Sequence, residues 1–236
     1  MALRRIAPGE SSIGSDIDDV TAPDPDGLPA DPIAFGNIKF YHPEYCPFGG
    51  YTDRSNIVEG IDAYAELTDN FFVVGERPNF SAKIRLKKDL VCYQMLLDNP
   101  VDVVAKEEIT ELRSEKEKSE LFILVNLVQP GYFKSKTAAL GRYYGIYADD
   151  LLVAVTGERM KMNKYTEVSA VVTHPQHTGK SYAKQLIAHT TNKIFSEGKL
   201  PYLHVSDANV STIALYKKLG FKTRRNISFW HLITDG

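Results

Sequence analysis

The chain has 236 residues, 43% of them hydrophobic and 25% charged, with a formal net charge of −2. That length holds one large domain or two small ones, and the balanced charge argues against a dominant nucleic-acid surface. No apolar run reaches the roughly 18–20 residues of a membrane-spanning helix. Arg4 and Arg5 are followed by no apolar stretch, so no secretory leader is expected. Cys46 and Cys92 fit neither a disulfide framework nor a metal-ligand spacing, which points to a reduced, cytoplasmic compartment. Cys46, beside Pro47 and Gly49-Gly50, reads as a small residue in a turn, with a reactive thiol as the alternative.

Residues 1–35 carry five prolines and a net charge of about −5. They bury too little to offset their ordering entropy and are expected to form a mobile acidic arm. Residues 36–104 read as a smaller α/β module. Asn37–Tyr41 is strand-like, and Asn56–Leu67 is helical, with Ile57, Ile61, Tyr64 and Ala65 in register. Phe71–Val74 and Val91–Leu97 are further strands. Gly49-Gly50, Pro78-Asn79 and Asn99-Pro100 are expected turns.

A second module covers residues 105–236. A short strand at Glu108–Leu112 precedes a helix over Glu115–Val128, which Pro130-Gly131 closes. A short helix is expected around Phe133–Leu140. Tyr143–Tyr147, Leu151–Glu158 and Thr166–Thr173 then form an antiparallel meander, punctuated by Asp149-Asp150 and Asn163-Lys164. The pattern changes to helix (Gly179–Ser196), strand (Pro201–Val205), helix (Asn209–Leu219) and terminal strand or strand pair (Phe221–Ile233). The expected class is mixed α/β, with the meander feeding a β-α-β crossover.

The most informative stretch joins the strand ending at Thr173 to the helix opening near Gly179. Backbone N–H groups at a helix N-terminus have no internal partner and attract phosphate. Gly179-Lys180-Ser181 matches the end of a nucleotide-triphosphate loop, but that motif needs glycine where His174 stands, followed here by Pro175. The same run resembles the acyl-coenzyme-A-binding turn of the GNAT superfamily of N-acyltransferases, of the form Arg/Gln-x-x-Gly-x-Gly/Ala. Ala183 matches that turn, while Thr178 replaces Arg/Gln and Ser181 replaces glycine. Downstream, Asn209, Ile213, Leu215, Tyr216, Leu219, Gly220 and Phe221 match the family's second signature, with Tyr216 33 residues beyond Ala183. The resemblance covers roughly residues 105–233 and is nearest to the glycine N-acyltransferase-like branch, where a degenerate N-terminal half precedes the catalytic one.

The resemblance implies a mostly antiparallel sheet with flanking helices and a V-shaped splay between two parallel strands, Thr166–Thr173 and Pro201–Val205. It implies acetyl-CoA as co-substrate, without a metal, and direct attack by a primary amine in a ternary complex. The backbone of Val171, Val172 and Thr173 would pair with the pantetheine arm. The amides of Thr178, Gly179, Lys180, Ser181, Tyr182 and Ala183 would hold the pyrophosphate. Asn209 would bind the pantetheine or diphosphate region, serve as a plain helix N-cap, or do both. Tyr216 would be the general acid, and Glu167 a general base or an acceptor contact. His204 is a second base, an acceptor contact or a hydrogen-bonded core histidine. The basic residues Arg159, Lys161 and Lys164, and Lys222, Arg224 and Arg225, read as solvated surface, with attraction of an acidic acceptor or the 3′-phosphate as the alternative. The expected partner is a small-molecule or peptide amine, with neither nucleic acid nor membrane; a homodimer is left open. A non-catalytic acyl-CoA-sensing module is the alternative function, motivated by Thr178 and Ser181.

Overall fold

Alternating apolar residues and well-placed turns lay down eleven strands in residues 32–234, the part of the chain that the computed structural model describes. The strands are β1 (Ile33–Phe35), β2 (Ile38–Phe40), β3 (Phe48–Tyr51), β4 (Asn70–Gly75), β5 (Ile84–Leu96), β6 (Thr110–Glu111), β7 (Tyr143–Ala148), β8 (Leu151–Lys161), β9 (Tyr165–Thr173), β10 (Leu200–Ser206) and β11 (Lys222–Thr234). The helices are α1 (Ile57–Ala65), α2 (Glu115–Val128), α3 (Tyr182–Ser196) and α4 (Val210–Lys218). All strands join one sheet in the order β1-β2-β3-β4-β11-β5-β10-β9-β8-β7-β6. Only β3 with β4 and β10 with β9 run parallel.

That order reads nearly the same from both ends. An antiparallel meander (β1-β2-β3) crosses through α1 to a parallel strand, β4, and a second meander (β7-β8-β9) crosses through α3 to β10. The last strands of the two successions are exchanged. β5 pairs with β10, and β11 pairs with β4, while β5 and β11 pair with each other along almost their whole length. Residues on either side of position 104 therefore build one sheet. The helices α1 and α3 also start alike, after a left-handed residue whose side chain makes no cap: Asn56 (φ 58°) and Ser181 (φ 62°).

Several expectations need correction. The proposed arm lies outside the described residues except at its end, where residues 33–35 pair with β2 as β1. Gly49-Gly50 is not a turn but the middle of β3, where the Phe40 ring lies so close to Gly49 that a Cβ would collide with it. β5 begins seven residues before the expected Val91, because Arg85, Lys87, Lys88 and Asp89 are exposed and hide the strand pattern. The terminal segment is one long strand, β11, and α3 starts at Tyr182, not Gly179. The helix α2 has the expected bounds and a full capping box between Ser114 and Glu117, which satisfies two orphan N-terminal donors.

Parallel pairing between β9 and β10 covers only Tyr165–Glu167 against Leu200–Tyr202, after which the strands separate. A bulge in β9 accompanies the separation. Ala170 has φ 52°, and the register with β8 slips between Val155 and Gly157. A bulge inverts the inward and outward phase of the strand residues beyond it. Val168 packs with α3 and α4 residues such as Ile187 and Ile213, yet Ala170 and Val172 pack with α2 residues Leu121 and Val125, and Val171 returns to the α3–α4 side. Left-handed backbone strains any residue with a Cβ. Ala170→Gly should change stability by less than about 1 kcal/mol, whereas Ala170→Val should cost about 2 kcal/mol or more. Urea titration checks both, and a valine variant as stable as the parent would show that the bulge does not form.

Candidate active site

A cavity of about 330 Å³ opens where β9 and β10 part. Its walls come from both sheet faces. Val168, Val171, Val205, Asn209, Thr212 and Tyr216 line one part, and Phe48, Val125, Gln129, Tyr132, Phe133, Arg159, Glu167, His204 and Phe229 line the other. Phe48, Leu90 and Cys92 come from β3 and β5, so the first half of the chain closes a site whose signature residues lie in the second.

At the apex of the split sits a buried polar chain. Arg159 donates to both oxygens of Glu167, from Nε at 2.7 Å and from Nη2 at 2.8 Å. Nδ1 of His204 lies 2.9 Å from Glu167 Oε1, and its Nε2 lies 3.1 Å from Nε2 of Gln94. The Gln94 oxygen accepts from Arg224 and Arg225, both at 3.1 Å. Two guanidinium donors fix that oxygen, so the Gln94 amide N–H points at His204. His204 Nε2 must accept, and Nδ1–H must donate to Glu167. The imidazole is thus held as the neutral Nδ1–H tautomer. Burial works against the Glu167 carboxylate, but the Arg159 charge and the hydrogen bonds from His204 and Arg159 outweigh it and hold its pKa at about 2. Glu167 is therefore a weak proton acceptor at neutral pH. Burial also opposes the Arg159 charge, yet Glu167 raises its pKa overall, and the guanidinium lies 4.7 Å from the Phe48 ring centroid.

Tyr216 lines the cavity from α4, and burial pushes its phenol pKa up. Asn209 caps α4, accepting from the Thr212 N–H at 3.3 Å, and also lines the cavity. Val172 turns its side chain into the core beneath α2, and Thr173 pairs with Ala154 near the end of β9. Between β9 and α3, Pro175–His177 forms a short 3-10 turn that Thr178 ends. Gly179 (φ 79°) and Ser181 (φ 62°) then take left-handed backbone. This explains both the late start of α3 and why glycine suits the position that Ser181 fills. Open space surrounds Gly179, and no side chain caps the first turn of α3, so its N–H groups are available to an anion. Tyr182 is a core residue, packed with Tyr144, Val153 and Leu186. The turn and the unpaired stretch of β9 fit an extended, phosphate-bearing ligand.

At the sheet's other parallel pair, before α1, the Asp53 carboxylate accepts from the Ser55 N–H at 2.8 Å, and the Tyr51 hydroxyl donates to the Glu76 carbonyl across the neighbouring strands. An acid thus stands in that turn, ahead of an α1 N-terminus that likewise has no side-chain cap.

Sequence reading missed Arg159 as a site residue, because it sits past the expected end of β8. Folding the β8–β9 hairpin about Asn163-Lys164 brings it beside Glu167, a signal available from spacing. Gln94, Phe48 and Phe229 lie outside the signature motifs and had no such signal. Lys161 pairs with Glu158 at 2.7 Å, and Lys222 with Asp98 at 2.8 Å. Cys46 is fully buried, with its thiol pushed up to about 12 by burial, so it is not a nucleophile at neutral pH.

A mixed sheet split between two parallel strands, with an open helix N-terminus after the first and an Asn–Tyr pair on the helix after the second, is the arrangement of the GNAT fold. The comparisons agree. The model of the FR47-like protein family matches residues 143–230. Among solved structures, a protein from Novosphingobium aromaticivorans described as a GNAT-family acetyltransferase superposes with a TM-score of 0.77 at 28% identity, over 87% of this chain and 92% of its own. A GCN5-related N-acetyltransferase from Kribbella flavida reaches 0.57 at 15% identity, over 87% and 89%. A tandem GNAT protein from the clavulanic acid biosynthesis pathway reaches 0.51 at 13%, over 81% and 76%. No curated protein sequence matches the chain significantly. The chain has the GNAT fold, and its residues 143–230 match the FR47-like family.

Because the pKa of Glu167 is lower folded than unfolded, its pairing stabilises the protein above the ordinary carboxylate value of 4.5. That stabilisation is lost as pH falls from there towards about 2. Glu167→Gln should flatten stability against pH across this window. At neutral pH it should cost about 3–5 kcal/mol, since Arg159 is left buried without its counter-charge. Arg159→Met with Glu167→Gln should recover much of that loss. Urea titrations across the window measure both effects, and an unchanged acid profile in Glu167→Gln would refute the assignment.

Proposed function

We propose that this chain is an N-acyltransferase that moves an acetyl group from acetyl-CoA to a primary amine by direct attack, both substrates being bound together. The observation behind this reading is the meeting of the strand split, Asn209 and Tyr216 around one cavity, with the open turn before α3 following the same split strand. The thioester supplies an activated acyl carbon, and the chain supplies binding, alignment and a proton. The amides of Thr178 through Ala183 would hold the pyrophosphate, and the β9 backbone at Val171–Thr173 would align the pantetheine arm, with Asn209 at its side. Much of the rate gain would come from this alignment.

Tyr216 would protonate the departing sulfur. A phenol of ordinary pKa about 10 is a weaker acid than a free thiol near 8.5, and burial raises the phenol further. The same dry surroundings raise the proton affinity of a thiolate formed beside it. The phenol is therefore fully protonated at neutral pH and set to donate as negative charge develops on sulfur. A cytoplasmic setting suits two free, buried cysteines. Membership of the glycine N-acyltransferase-like branch suits a first half that repeats the succession of the second without its anion cradle.

Purified full-length chain incubated with acetyl-CoA and a mixed amine library should yield N-acetylated product by mass spectrometry. Coenzyme A binding without any product would favour a sensing module instead. Tyr216→Phe should lower kcat about tenfold or more, with coenzyme A affinity nearly unchanged. Unaltered turnover across pH would remove Tyr216 as the acid.

A further inference from the structure

The acceptor side of the cavity is mostly apolar around a mutually neutralising charge pair, with Gln129 and Tyr132 as uncharged polar groups in its wall. Phe48, Leu90, Phe133 and Phe229 surround Arg159 and Glu167, and these two are the only charged residues among the described ones that line it. They neutralise each other through two short hydrogen bonds. The other titratable groups facing this space are His204 from β10, Cys92 from β5, Tyr132 after α2 and Tyr216 from α4. Arg224 and Arg225 on β11 face it only through Gln94. His204 spends Nδ1–H on Glu167 and its acceptor nitrogen on Gln94. Burial keeps Cys92 a neutral thiol. Among the lining residues no carboxylate is left unpaired to attract an ammonium ion, and both sequence-derived bases are already engaged in hydrogen bonds.

We infer that this cavity takes a small primary amine on an uncharged apolar body, aromatic or aliphatic, and receives it as the free base. The inference rests on the acyltransferase reading of the same site. A volume of about 330 Å³ lies at the small end of ligand sites, roughly 300–1,000 Å³, and must also admit the acyl end of the donor. Proton balance favours the same form. The nitrogen of a free amine attacks the thioester carbon, the C–N bond forms and the C–S bond breaks. The nitrogen loses one proton and the sulfur gains one, through Tyr216, so nothing need leave the site. An ammonium ion would have to release one more proton into apolar walls. A second charge on the acceptor would be buried there without a partner.

Kinetics with acetyl-CoA and two amines of similar size, phenethylamine and its less basic β,β-difluoro analogue, test the inference. For each, kcat/KM should rise about tenfold per pH unit and level at that amine's own pKa. The two profiles should coincide when plotted against free-base concentration. Both amines should exceed 1,4-diaminobutane and glutamate by about tenfold or more. Inflection at one shared pH, or preference for a doubly charged acceptor, would overturn it. If no amine is acylated, the acyltransferase reading falls by itself, and calorimetry still decides the inference. Phenethylamine binding to the coenzyme A-loaded chain below the amine's pKa should release about one proton, read from heats in buffers of different ionisation enthalpy. Binding without proton release, or no binding, would overturn it.

Discussion

Two parallel strands that part after three paired residues leave backbone groups unsatisfied along both inner edges, and a sheet ordinarily closes such a gap. Here the apex of the gap is fixed by charge. Glu167 is the last β9 residue paired with β10, and its carboxylate binds Arg159 on the preceding strand and His204 on the following one. Three strands are thereby tied at one point. Beyond that point the bulge at Ala170 turns β9 out of phase with its own first half. The opening, the cavity and the exposure of the β9 edge to a ligand all depend on that knot and that bulge. A buried ion pair is a weak source of net stability but a strong source of specificity when its partners sit on different elements.

The two halves of the chain divide the labour unequally. Each supplies a meander, a crossover helix and a parallel strand, and they exchange their final strands across the middle of the sheet. In the second half, the crossover turn is open and faces an unpaired strand edge. In the first, Asp53 places an acid in the corresponding turn, and Tyr51 bonds across to the Glu76 carbonyl. The first half instead delivers Phe48, Leu90 and Cys92 to the wall opposite Tyr216, and Gln94 to the polar chain behind His204. One half thus carries the open turn and the unpaired strand edge, and both line the cavity.

Much of this fold is legible in local sequence. The helix α2, with its Ser114–Glu117 box and the Pro130-Gly131 stop, has the bounds that its pattern predicts. The meander and α4 differ from prediction by a few residues at their ends, where fraying and caps decide. The misses have physical causes. β5 is half hidden because its exposed face is lysine and arginine rather than apolar. β3 looks like a turn because close approach to Phe40, not a chain reversal, demands Gly49. Of the expected site residues, Glu167, Val171, His204, Asn209 and Tyr216 share one cavity, while Val172 and Tyr182 are core side chains whose part in the site can only be through their backbone.

The sequence by itself determined the class of fold and located two signature segments, the turn through Ala183 and the run from Asn209 to Phe221. Those depend on short-range spacing, on which N–H groups a turn exposes and which side chains a helix face aligns. Tertiary structure alone decided the chemistry of Glu167 and His204. Spacing marks them as two candidate bases, but their hydrogen-bond partners come from other strands. Arg159 lies across a hairpin, and Gln94, Arg224 and Arg225 come from β5 and β11, more than a hundred residues apart in the chain. A pKa is set by what surrounds a group in space, and here Arg159 and His204 hold Glu167 as a paired carboxylate.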